Sequence, residues 1–207
     1  MDVLKEFGII PVNTVALETL FTSYKYPQKK VRSLEQKGLL LRMKRGLFVV
    51  SPAVSGKSLS AELIANHIYG PSYVSMETAL RYYGLIPESV YTVRSMTINQ
   101  KKKFGNPIGN FEYIHCPVDY YPIGISQIVK ENYSFLMASP EKALCDLVVY
   151  TPKLRPRFLK SMYKYLEEDL RLDMDAFFEM KATIFNQCAR FSRKKNEIYN
   201  LVKILGK

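Results

Sequence analysis

The sequence predicts an α+β chain in two parts, and three observations lead there. Capping residues followed by apolar positions at helical spacing recur from Thr14 to the C-terminal end. Short β-prone runs bounded by Gly, Asn and Pro interrupt them, at Leu39–Val50 and again between Tyr91 and Ala138. Charge is also unevenly spread: residues 1–50 carry nine Lys/Arg against four Asp/Glu, residues 51–150 eight of each, and residues 151–207 thirteen against seven.

The net charge of +11 on 207 residues therefore sits at two basic ends around a neutral centre. Clustered cations of this kind release counterions from phosphates and point to a polyanionic partner. A hydrophobic content of 47% with 24% charged residues is an ordinary globular balance, so disorder is not the default expectation. No apolar run reaches the roughly 18–20 residues of a membrane span. Met1–Lys5 lacks the basic start and apolar core of a signal peptide, so the cytoplasm is expected. Cys116, Cys145 and Cys188 make no pairing framework and read as buried small side chains.

Asn13 or Thr14 is placed to cap a first helix with Val15, Leu17, Leu20 and Phe21 as its apolar positions. Pro27 opens a second helix that Gly38 stops. On it Val31 and Leu34 project together, whereas Lys29, Arg32, Ser33 and Gln36 fall on the opposite face, flanked by Lys30 and Lys37. Leu39–Met43 and Leu47–Val50 then form a hairpin around Lys44-Arg45-Gly46. Helix, helix and basic-tipped hairpin is the order of a winged helix-turn-helix, here over residues 1–52. Arg, Lys, Ser and Gln on one helix face can hydrogen-bond base edges in a major groove. Arg42, Lys44 and Arg45 on the wing would reach phosphates or a minor groove.

Residues 53–207 are expected to form a mixed α/β domain, with a helical tail from about residue 152. Ser51–Gly56 reads as a linker, followed by a helix over Leu59–Ile68 with Ser58 as cap. Ser75 caps Met76–Tyr83, which Gly84 ends. Tyr91–Ile98 and Phe111–Cys116 read as strands, joined through Lys101-Lys102-Lys103 and a turn at Gly105-Asn106-Pro107. A strand at Ser134–Ala138 leads into a helix with Ser139 as cap, Pro140 first and Glu141 favouring the dipole. After Pro152 the pattern is helical, with Phe158, Leu159, Met162 and Leu166 apolar. Asp173 opens a further helix through Phe177, Phe178, Ile184 and Phe185, and Ile198–Leu205 ends the chain on an amphipathic stretch.

Three stretches resemble the AbiE-type (type IV) antitoxin family: Gly38–Phe48, Tyr73–Leu85 with its Tyr-Val-Ser-Met-Glu-Thr-Ala-Leu, and Ala138–Leu147 with its Ser-Pro-Glu-Lys-Ala-Leu. Together they cover about residues 10–150. The resemblance implies a repressor of its own two-gene operon, acting at an operator in double-stranded DNA. It also implies a C-terminal domain that counteracts a nucleotidyltransferase-like toxin without a stable complex. The tail's Arg190, Arg193, Lys194 and Lys195 are expected to add secondary, sequence-independent DNA contacts.

Other chemistries are weaker. Gly56-Lys57-Ser58 imitates the end of a phosphate-binding loop, but Ser51 stands where that loop needs Gly, and Pro52 removes an amide donor. Asp173, Asp175, Glu179 and Lys181 are the best nuclease set, yet they lie among helix-compatible residues rather than converging strands. His67 and His115 have no second ligand pair, and Tyr82-Tyr83 and Tyr120-Tyr121 are commoner as core than as stacking platforms. No catalytic residue, metal or cofactor is therefore expected. The rival functions are a Mg2+-dependent nuclease and a winged-helix module that contacts protein.

Overall fold

A computed structural model describes residues 2–206; Met1 and Lys207 lie outside the described residues. The chain is mixed α and β, with eleven α-helices and two sheets among the described residues. The first elements are α1 (Asp2–Lys5), β1 (Val12–Asn13), α2 (Thr14–Thr19), α3 (Pro27–Gln36), β2 (Leu40–Lys44), β3 (Leu47–Val50) and α4 (Pro52–Ser55).

Local chemistry explains most of these boundaries. The Asn13 side chain accepts from the Ala16 amide at 2.8 Å, which starts α2. Pro27 occupies the first turn of α3, where its missing N–H costs nothing. Gly38, at φ +68°, reverses the chain while the Leu39 amide donates to the Leu34 carbonyl. Strands β1, β3 and β2 form an antiparallel sheet in that order. Its two faces serve two cores. Leu40, Phe48 and Val50 pack with Leu17, Val31 and Leu34 into a small core, whereas Met43, Leu47 and Val49 join the main one. The hairpin is therefore a wall between cores, with every residue of β3 buried.

The remaining chain builds α5 (Ala61–Ile68), β4 (Ser72–Val74), α6 (Met76–Tyr82), β5 (Thr92–Thr97), β6 (Lys102–Asn106), β7 (Gly109–His115), β8 (Ile125–Val129) and β9 (Ser134–Ala138). There follow α7 (Pro140–Tyr150), α8 (Leu159–Lys164), a π-helical turn over Tyr165–Asp169, α9 (Met174–Phe178), α10 (Ala182–Phe191) and α11 (Lys195–Leu205). The six strands run in the order β6-β7-β5-β4-β9-β8, with β5/β7 and β4/β9 parallel and the other neighbours antiparallel. Helix α7 packs against α6, α10 and α11. Among the described residues no helix is long and apolar enough to cross a membrane.

Several expectations are corrected. The segment read as a linker contains α4, capped by Ser51 and ended by Gly56 at φ +68°; its Val54 still belongs to the small core. The cap of α5 is Ser60, not Ser58: its hydroxyl accepts from the Leu63 amide and donates to Glu62. Lys102 and Lys103 are not in a connection but in β6, which pairs with β7 through a turn at Pro107-Ile108. Strands β4 and β8 had no separate sequence signal. Val15 and Phe158 point outward, 71% and 76% exposed, because each sits at the solvent side of a helix start. Ser75 precedes α6 but makes no cap bond; its hydroxyl donates to Asp146 at 2.6 Å.

Candidate nucleic-acid interface

Helix α3 turns Val31 and Leu34 into the small core, and that fixes what it offers outward. Lys29, Arg32, Gln36 and Lys37 are exposed, and Lys30 and Ser33 are half-buried beside them. The structure thus gathers all six expected residues of this helix on or beside one surface. It adds an aromatic collar not foreseen from sequence. Lys29 Nζ stands 4.5 Å from the Tyr26 ring centroid and Lys30 Nζ 4.9 Å from that of Tyr24, with Lys25 Nζ 5.6 Å from Tyr26. The alternation Tyr24-Lys25-Tyr26 was the available signal. Cations over rings keep their charge while losing some freedom, which pre-organises the start of α3.

One acid interrupts this surface, and it is neutralised. The Arg42 guanidinium grips Glu35 through two parallel bonds, Nε to Oε1 at 2.7 Å and Nη2 to Oε2 at 2.6 Å, while stacking over the Phe48 ring. Hydrogen bonding from Arg42 holds the Glu35 carboxyl below its usual range. Arg42 thus serves α3 by removing a negative charge from its edge. Arg45 is exposed at the hairpin tip. Lys44 departs from expectation: its ammonium donates to the Ile68 carbonyl at the end of α5, so it is turned into the protein. The Thr14 amide donates to the Gly46 carbonyl, which ties the same tip to α2.

The basic tail is also rearranged. Arg190, Arg193 and Lys195 are exposed, but the Lys194 ammonium is drawn inward between the carbonyls of Val148 and Leu154, at 2.7 Å each. Burial pulls its pKa down from the ordinary lysine value. Lys194 is therefore a clamp rather than a free cation, which corrects its placement among the secondary DNA contacts.

A second group of polar residues was missed altogether. In α7, Lys142 and Asp146 are wholly buried and paired at 3.1 Å. Tyr73 and Ser75 donate to Asp146 at 3.1 and 2.6 Å, and Lys142 donates to the Tyr120 carbonyl while lying 3.2 Å from the Tyr120 ring centroid. The signal was Lys and Asp four apart on a helix whose later residues, apart from Asp146, are apolar. This group joins Tyr73–Leu85 to Ala138–Leu147. Solvent does not reach it, so its chemistry is structural. Burial likewise pushes the nearby Cys116 thiol up to about 12, away from nucleophilic use.

The decoy residues stay apart. Asp173 caps α9 through the Ala176 amide, and Glu179 ends that helix. His115 is exposed while its neighbour Cys116 is buried on the other side. Tyr120 is a core residue and Tyr82 and Tyr83 pack edge to face. Among the described residues no three His, Cys, Asp or Glu side chains are grouped closely enough to hold a metal ion. Comparison with known proteins finds no matching family model and no matching curated protein.

Proposed function

We propose that the N-terminal unit is a winged helix-turn-helix that binds duplex DNA through α3, and that the chain represses its own operon. The observation that carries this is the make-up of α3. Its inward positions are apolar, its outward positions include Lys29, Arg32 and Gln36, and the helix's one carboxylate, Glu35, is held by Arg42. The order β1-β3-β2 behind two helices supports the winged-helix reading. Arg32 and Gln36 are the base-reading candidates, Lys29, Lys30, Lys37 and Arg45 the phosphate contacts. The likeness of Gly38–Phe48, Tyr73–Leu85 and Ala138–Leu147 to AbiE-type antitoxins supports the further step, counteraction of a nucleotidyltransferase-like toxin.

The test is a titration of the full chain against the duplex upstream of its own gene, with random duplex as competitor. Arg32→Ala or Gln36→Ala is expected to weaken specific binding by about 1–3 kcal/mol and to relax preference at one base position. Equal binding to every duplex would leave only a non-specific electrostatic partner. Undetectable duplex binding would favour a winged-helix module that contacts protein.

A further inference from the structure

A second cationic site lies in a groove built by several distant chain segments, with no α3 residue in its lining. One cavity of about 960 Å3 runs between the start of β6, the end of α7 and the end of α10. It continues into a neighbouring one of about 570 Å3, the two sharing Tyr150, Thr151, Pro152 and Arg193. Lys101 and Lys103 line the first, Arg155 and Arg157 the second, and Arg193 stands at their junction.

The lining cations outnumber the lining acids, Glu112 in the first cavity and Glu197 in the second. Lys103 and Arg94 are engaged by Glu112, and Arg94 also by Glu77. Lys101, Lys153, Arg155, Arg157 and Arg193 make no salt bridge among the described residues. The loop that carries Arg155 and Arg157 is held from behind. Lys194 holds the Leu154 carbonyl, and Asn200 Nδ2 donates to the carbonyls of Pro156 and Arg157 at 3.4 and 3.0 Å. The buried Asn200 and the half-buried Lys194 thus fix a backbone whose arginines face solvent. Apolar surface lies among the cations: Phe191 is 50% exposed on the groove wall, and Arg193 sits 5.9 Å from the Tyr150 ring centroid.

Cations beside an exposed aromatic are what unpaired nucleotides need, since each brings a phosphate and a bare base face. A duplex keeps its base faces stacked inside and would leave Phe191 unused. The cavity is also of small-molecule size, suited to a thin strand. We propose that this groove binds a short single-stranded segment of nucleic acid, with phosphates at Arg155, Arg157, Arg193 and Lys101 and a base on Phe191. The site is independent of α3 and does not rest on the duplex reading.

The experiment titrates the full chain with fluorescein-labelled ten-nucleotide oligo(U) and oligo(dT), with a blunt duplex of scrambled sequence, and with ATP as competitor. Both single strands are expected to bind. Arg155→Ala with Arg157→Ala should flatten the salt slope by about 0.7 for each phosphate no longer neutralised. Phe191→Ala should weaken single-strand binding by about tenfold at unchanged salt slope. Arg32→Ala and Gln36→Ala should leave it intact, so failure of the duplex site and failure of this one are separable. Unchanged single-strand affinity in the arginine and Phe191 variants would overturn the proposal. So would an equal loss of duplex binding, which would make the groove part of a duplex interface, or displacement by ATP at comparable affinity, which would make it a polyphosphate site. The substituted residues are exposed; should melting show a variant destabilised, Arg193→Ala and Lys101→Ala give the same reading.

Discussion

Helices α3 and α7 begin alike, each with proline in its first turn, and run for ten and eleven residues. Helix α3 lies at the edge of a small core and turns cations to solvent. Helix α7 is covered by α6, α10 and α11, and nine consecutive residues, Glu141–Val149, are buried. Its one lysine therefore cannot stay bare. Lys142 spends its charge on Asp146, the Tyr120 carbonyl and the Tyr120 ring. The same residue type is a solvent-facing charge in one helix and an internal strut in the other. Availability follows from what packs around a helix, not from how many cations it holds. Lys194 and Lys44 repeat the lesson, since both lie in basic runs and both donate to carbonyls of the protein itself.

The largest expected effect separates the two helices at their charges. Asp146→Leu should cost about 3–5 kcal/mol in urea unfolding, because Lys142 is left buried without its partner. Adding Lys142→Met should recover much of that loss. A single variant as stable as the parent would mean that the α7 pair can be dispensed with, and the contrast with α3 would collapse.

Two glycines sharpen the contrast at the level of space. Gly124 has φ +63°, and a Cβ there would lie 2.9 Å from Lys142 Cβ and 3.0 Å from Ile184 Cγ2. Gly38, at φ +68° after α3, would meet nothing within 4 Å. Gly124→Ala should cost about 2–4 kcal/mol, backbone strain plus overpacking, and Gly38→Ala about 1–2 kcal/mol from strain alone. Thermal melting of the two variants measures the difference. Equal costs would show that the space around α7 gives way.

On α3 itself the effects should fall on binding. Lys29→Ala with Lys30→Ala is expected to shift stability by no more than about 0.5 kcal/mol for each site. The same change should flatten the salt dependence of duplex binding by about 0.9 per phosphate released. A large loss of stability at unchanged salt slope would make these lysines structural, like Lys142.

The smallest effect concerns pH. The folded-state pKa of Glu35 lies below the ordinary 4.5 because Arg42 hydrogen-bonds its ionised form. That contribution is present above the unfolded value and is lost as pH falls through the depressed folded one. Both side chains remain partly solvated, so it should stay below about 1 kcal/mol. Glu35→Gln should remove this part of the acid-side decline in melting temperature. An unchanged decline would show that the pair contributes nothing to stability.

Much of the chain is legible because its signals are local. Asn13, Ser139 and Asp173 each accept a backbone N–H within three residues, so their caps need nothing from the rest of the fold. Pro27, Pro140 and Gly38 act through their own backbone torsions. The outward set on α3 follows from helical period once Val31 and Leu34 point inward. Strands β4, β6 and β8 carry no comparable mark. Three residues, Ser72–Val74, make a strand because β5 and β9 flank them, and Lys102 and Lys103 extend because β7 supplies the ladder.

Side-chain destinations across long separations were beyond local reading for the same reason. Whether Ser75 caps its own helix or bonds Asp146, seventy-one positions away, depends on how α6 meets α7. Whether Lys44 reaches outward or to Ile68 depends on α5 lying beside the hairpin tip. Nothing within the 151–157 or 191–195 segments announces that they share a groove wall with Lys101. Periodicity and capping are properties of neighbouring residues, so the amino-acid order carries them directly. The partner of a charge is set by which surfaces exclude water together, and that exists only once the helices and both sheets have packed.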